Sequence, residues 1–143
     1  MTSFSNDEKE KRDDLAKAIN RIALGVLILF HTRAVLLGEQ AIRDTLMAWG
    51  LPIELAYTAI FFEGLAPIMV ILGVFARIGA GVMTFWMVLA FLMAHVHTGH
   101  LWQLTENGVS WRIEVPLFFL VGSVVVLLQG AGRYSLNIGG KWN

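Results

Sequence analysis

Four stretches of roughly 20 residues run almost free of charge, the length a helix needs to cross a hydrocarbon core of about 30 Å. They cover about residues 15–37, 52–75, 76–98 and 111–128. The last is the weakest, because Arg112 and Glu114 stand at its start and the uncharged remainder, 115–129, is short for a crossing unless those two lie at an interface. Composition agrees: 56% of the 143 residues are hydrophobic and 15% charged, where a soluble domain carries about a quarter charged. Within lipid a backbone must satisfy itself, as helix or closed barrel. The expected fold class is therefore all-α, an integral membrane four-helix bundle. A soluble bundle with unusually apolar helices is the alternative.

The connections organise the chain as one unit. It divides into a charged tail at 1–14, a four-helix transmembrane domain at 15–138 and a short C-terminal tail at 139–143. Residues 7–14, Asp-Glu-Lys-Glu-Lys-Arg-Asp-Asp, read as a solvated, frayed segment. The start does not read as a secretory signal: it is acidic as well as basic, its apolar run is too long, and no small-residue cleavage site follows. Residues 38–51 are too polar to cross lipid, yet Ile42, Leu46 and Trp49 recur at helical spacing. That predicts a short interfacial helix in the first outer loop, stopped by Gly50 and Pro52. A tight turn around 73–77 joins the second and third spans, and 99–111 forms the second outer loop. Trp49, Trp102 and Trp111 fall where an aromatic belt would place them.

Orientation follows from the basic residues. The tail, the middle turn and the C-terminus hold Lys9, Lys11, Arg12, Lys17, Arg77, Arg133 and Lys141, against Arg33, Arg43 and Arg112 in the opposite loops. This bias predicts cytoplasmic N and C termini in a bacterial-type inner membrane. The formal net charge is zero, so no nucleic-acid partner is expected. The chain has no cysteine, which excludes disulfides, thiolate catalysis and Cys-ligated metal within it and leaves the redox compartment open.

Ionisable side chains at membrane depth are costly, and they are the functional candidates by default. Arg21, His31, Glu63, His95 and Glu114 form that set. Counting rise along each span puts Glu63 near the middle of the second and Arg21 about 9 Å from the inner end of the first, a vertical gap of about 5 Å. An Arg side chain reaches that far, which predicts an Arg21–Glu63 ion pair that fixes packing. His31 falls about 9 Å below the outer surface, with His95 and Glu114 a few ångströms above it. Helical spacing groups Arg21, Gly25, Ile28 and Thr32 on one face of the first span. It groups Ala56, Ala59, Glu63, Ala66 and Val70 on the second, and Arg77, Gly81, Thr84, Val88, Phe91 and His95 on the third. Such small-residue stripes let membrane helices approach closely, so these faces are expected to turn inward. His31 sits off the Arg21 stripe, toward a helix–helix seam.

Each candidate has a structural reading beside a chemical one. His95 can donate to a carbonyl or reach water, Glu114 can meet the headgroup zone or Arg112, and His97 and His100 read as interfacial and loop residues. Met83, Met87 and Met93 read as packing. Chemically, His31, Glu63, His95 and Glu114 could line a pocket open to the outer leaflet, where a quinone head group would find donors and acceptors. Haem or metal ligation is disfavoured, because the sequence holds no His-x-x-x-His pair and no Glu-x-x-His. The cofactor is otherwise undetermined, and no catalytic residue is assigned.

Phe62-Glu63-Gly64-Leu65-Ala66-Pro67, then Leu72-Gly73-Val74-Phe75-Ala76-Arg77, then His95 near the end of the third span, resemble the DoxX family of small four-helix membrane proteins. Glu114-Val115-Pro116-Leu117 and Gly130-Ala131-Gly132-Arg133-Tyr134-Ser135-Leu136-Asn137 extend the likeness, as do Arg21, Leu24-Gly25 and His31 in the opening helix. The resemblance covers about residues 15–138. The family's Glu-x-Gly-Gly is Glu63-Gly64-Leu65-Ala66 here, and its closing Asp is Asn137. The resemblance implies an oxidoreductase-associated membrane protein, by its name a quinol oxidase subunit, or a partner in complexes that handle thiols and oxidative stress. It settles no catalytic residues. The leading expectation is an accessory subunit of a quinone-linked membrane redox system, partnered by the bilayer and by other membrane subunits or further copies of itself. A non-catalytic scaffold subunit and a small-solute or proton pathway are the alternatives.

Overall fold

The computed structural model describes the chain apart from residues 1, 38–39, 94–101, 105–107, 109–110, 112 and 137–139. Side chains of 2–5, 34–37, 40–42, 45, 56 and 59–60 are also outside the description. Among the described residues the chain is helical: α1 (Thr2–Leu37), α2 (Gln40–Ala48), α3 (Ala56–Leu72), α4 (Ala76–Phe91) and α5 (Glu114–Gln129), with 3-10 turns at Ile53–Leu55 and Gly140–Trp142. α1 packs on α3 and α5, and α4 packs on the same two, closing a ring of four. Leu24, Ile28, Ala66, Val70, Ala80, Met83, Met87, Phe119 and Val126 fill its centre.

One helix, α1, is long and apolar enough by itself to cross a membrane, over Asn6–Arg33; the apolar runs Phe61–Leu72, Ala76–Phe91 and Glu114–Gln129 are shorter. The bounds of α3 follow from chain chemistry. α3 starts late, after the turn that Pro52 opens, and stops at Gly73, whose φ of 67° and backbone bonds to Met69 and Val70 carbonyls form a left-handed cap. The turn 73–75 is as tight as expected, with Phe75 also left-handed.

Two expectations are corrected here. Residues 7–14 are not frayed but continue α1 without a break. Glu, Lys and Arg are good helix formers, and the segment is laced along its axis, with Lys11 paired to Asp7 at 3.0 Å and Lys17 to Asp14 at 3.4 Å. Only part of this run is solvated, since Asp14 is buried. The inward face of the third span is also rotated from the expected one. Ala76, Gly79, Ala80, Met83 and Met87 are buried, while Val88 is exposed. α4 is shared between two neighbours. Gly79 abuts α3 at Ala66 and Val70, and Gly81 faces Leu127 of α5, so the small-residue stripe marks a lateral seam instead of the centre. On α1 and α3 the expected faces are buried, through Arg21, Gly25, Ile28 and Thr32, and through Glu63, Ala66 and Val70. The expected short helix before residue 51 is α2, which buries Leu46 and ends at Ala48, ahead of a turn in which Gly50 has a φ of 64°.

Candidate functional site

The interior polar groups fall into separate clusters, and the first is a cap. Arg21 is 2% exposed. Its Nη1 donates to the carbonyl of Val70 at 3.0 Å and to that of Ile71, and its Nη2 to the carbonyl of Tyr134. A helix leaves its last four carbonyls without internal donors. In α3 all of them are met: Met69 by the Val74 N–H, Val70 by Gly73 and Arg21, Ile71 by Arg21, and Leu72 by the Leu136 N–H at 3.1 Å. A cation there also complements the helix dipole. The same contacts draw residues 130–136 under the bundle, where a Cβ on Gly73 would collide with Ser135 and a Cβ on Gly132 would press on Asp14 and Lys17.

The expected Arg21–Glu63 ion pair is therefore absent, and Glu63 lies elsewhere. α1 meets α3 with Gly25 against Pro67 and Ile71, which places Arg21 beside the end of α3. Glu63 is eight residues before Ile71, about 12 Å away along the axis. Depth counted along single helices could not see this register, which the close approach at Gly25 sets.

Around Glu63 the sequence explains the geometry. Pro67 has no N–H, so the Glu63 carbonyl loses its internal donor. The Thr32 hydroxyl lies 3.1 Å from that carbonyl, 2.9 Å from the Ile28 carbonyl and 3.4 Å from Glu63 Oε2. A hydroxyl has one proton to give, so these three acceptors share it. Glu63 Oε1 accepts from Trp86 Nε1 at 2.7 Å, and the Trp86 ring lies 5.3 Å from that of Phe62. The result is a buried carboxyl, 7% exposed, with one oxygen firmly held, the other weakly held, and aromatic rings alongside. Among the described residues no Lys or Arg pairs with it.

The remaining candidates lie apart. His31 is exposed and packs edge-on to Phe119 of α5, with centroids 5.6 Å apart, at the α1–α5 seam. Glu114 is exposed in the first turn of α5, where an acid complements the dipole. His95, with His97 and His100, lies outside the described residues. Thr32, Trp86 and the Thr84–Ser123 hydrogen bond at 3.1 Å carry further interior polar contacts; helical spacing marks Thr32 and Thr84 as inward-facing but not as site residues. Trp86 left a signal: an indole N–H in an apolar span must find an acceptor, and Glu63 stands at matching depth on the preceding span.

A ring of helices with polar groups inside and large apolar side chains exposed outside is the pattern of small helical proteins whose outer faces meet lipid or a partner. Within that class the DoxX family model matches residues 16–96, more than half of the chain. The chain belongs to the DoxX family. No curated protein and no solved structure matches it.

Proposed function

We propose that the chain is a four-span protein of a bacterial-type inner membrane, with both termini cytoplasmic, that serves as an accessory subunit of a quinone-linked redox complex. The four-span reading is supported by the outward faces: Phe30, Phe61, Phe85 and Phe118, one on each packed helix, are 66%, 59%, 66% and 66% exposed. Apolar area of this extent calls for lipid or a partner. The helices of 16 and 17 residues reach about 24–26 Å, which a bilayer accommodates by thinning locally. The α3–α4 turn, the C-terminal segment and the base of α1 share one end through Arg21 and Gly73, in keeping with cytoplasmic placement of all three.

The accessory role rests on one observation, the weakly held Oε2 of Glu63 beside Phe62 and Trp86. A quinol head group reaching it would find a hydroxyl acceptor and rings to stack on. Arg21, Thr84 and Ser123 are engaged at helix ends and seams, which suits a subunit that completes a site with a partner. The test is extraction in mild detergent, with quinone content and companions measured by mass spectrometry. Wild type is expected to retain quinone and a redox-active partner, and Glu63→Ala to lose the quinone while keeping the partner. A quinone-free chain with its partner still bound would leave the scaffold reading in its place.

A further inference from the structure

Between α1 and α5, toward the α3–α4 turn, lies an open groove of about 480 Å³, lined by Asp13, Ala16, Lys17, Asn20, Val125 and Gln129. The α1 residues fall at i, i+3, i+4 and i+7 and those of α5 at i and i+4, so one stripe of each helix forms each wall. The volume is within the range of small-molecule sites. One wall group has an unmet need: the Asn20 side-chain amide nitrogen is buried and has no hydrogen-bond partner. Whichever way that carboxamide is turned, a buried polar atom faces a site that can supply its partner.

The charges say what kind of ligand fits. Lys17 is already shared with Asp14, at 3.4 Å. Asp13 is exposed and adds a further formal negative charge. A purely anionic ligand would meet this surplus; one carrying its own cation would be matched. Asp13 and Lys17 stand one helical turn apart, about 5–6 Å between side-chain roots, the span from nitrogen to phosphate in an ethanolamine phosphate. The lining also continues as hydrocarbon. On the same stripes Leu27 lies two turns beyond Asn20 and Val121 one turn beyond Val125, 47% and 55% exposed.

We propose that this groove holds the head group of an amine-bearing zwitterionic phospholipid. Asp13 takes the ammonium, the Asn20 and Gln129 carboxamides and Lys17 take the phosphate, and the acyl chains run up over Leu27 and Val121. The inference rests on the four-span reading, since it needs this end of the bundle at headgroup level.

The experiment is native mass spectrometry of the full chain released from nanodiscs containing equal phosphatidylethanolamine and phosphatidylglycerol. Wild type is expected to retain the amine lipid about tenfold over the anionic one. Asp13→Asn, at an exposed position, should abolish or reverse that preference. Asn20→Leu should lower total retained lipid at unchanged helicity by circular dichroism. Millimolar free phosphoethanolamine should leave the lipid bound; displacement by it would overturn the lipid as occupant. Equal retention of both lipids by wild type, or a preference surviving Asp13→Asn, would overturn the inference. A chain that enters no nanodisc and stays dissolved without detergent would instead remove the four-span reading.

Discussion

Arg21 and Glu63 are both buried, both charged in sequence and both on the α1–α3 contact, yet their surroundings differ. Arg21 meets three carbonyls, closes the end of one helix and anchors a distant segment. Glu63 has one firm donor, Trp86, and a share of one hydroxyl. The two terminal nitrogens of the guanidinium are held by backbone, which cannot leave, and only its Nε finds no partner; the carboxyl is held by side chains, which can move away. A buried charge of the first kind is architecture. One of the second kind keeps capacity for something else.

The contrast can be broken most directly at its strong side. Replacing Arg21 by Met removes the donors of the Ile71 and Tyr134 carbonyls and leaves Val70 with the Gly73 N–H alone. At about 1.5–3 kcal/mol for each hydrogen bond to a charged group, the loss is expected to exceed about 3 kcal/mol, read as a collapse of the thermal transition in detergent. Arg21→Lys should rescue little, because an ammonium lacks the fork that spans separate carbonyls. Gly73→Ala comes next. A Cβ at φ 67° meets Ser135 and Arg21, and about 1–3 kcal/mol of strain is expected, with residues 130–136 newly open to protease.

At the weak side, Glu63→Ala leaves the partly buried Trp86 N–H without its acceptor, for about 1–3 kcal/mol. Glu63→Gln keeps an acceptor oxygen and is expected to cost less than about 1 kcal/mol. If Glu63 binds quinol, Gln should preserve the melting temperature and still weaken quinone retention. Equal retention by Glu and Gln would make Glu63 architecture too. The smallest effect is expected at Thr84→Val, which removes the α4–α5 bond to Ser123 for about 0.6 kcal/mol, as for other hydrogen bonds between membrane helices. A loss as large as that at Gly73 would show the α4–α5 seam to be a second architectural centre.

Much of this was legible from the chain. Hydropathy located the helices α1, α3, α4 and α5, Gly50 and Pro52 marked the stop that follows α2 at Ala48, and Gly73 marked the turn. The inward faces of α1 and α3 followed from spacing, because Arg21, Gly25, Ile28 and Thr32, and Glu63, Ala66 and Val70, all lie on the buried side of their helices. α4 misled because Gly81 and Thr84 serve a lateral seam, while the centre is filled by Met83 and Met87. The partner of Arg21 was illegible for another reason. Its acceptors are backbone carbonyls, which carry no residue identity, and the register that presents them depends on how Gly25 meets Pro67. Trp86 was legible in principle, from the demand of its N–H, and Thr32 from the carbonyl that Pro67 frees.

The 36 residues of α1 make a rod of about 54 Å, and the same rod bears both the exposed charged turns of residues 6–13 and the Arg21 clasp. Stiffness over that distance joins the two. A helix unbroken over that distance carries the exposed turns and the guanidinium at the foot of α3 on one rigid body, so the orientation of one fixes the orientation of the other.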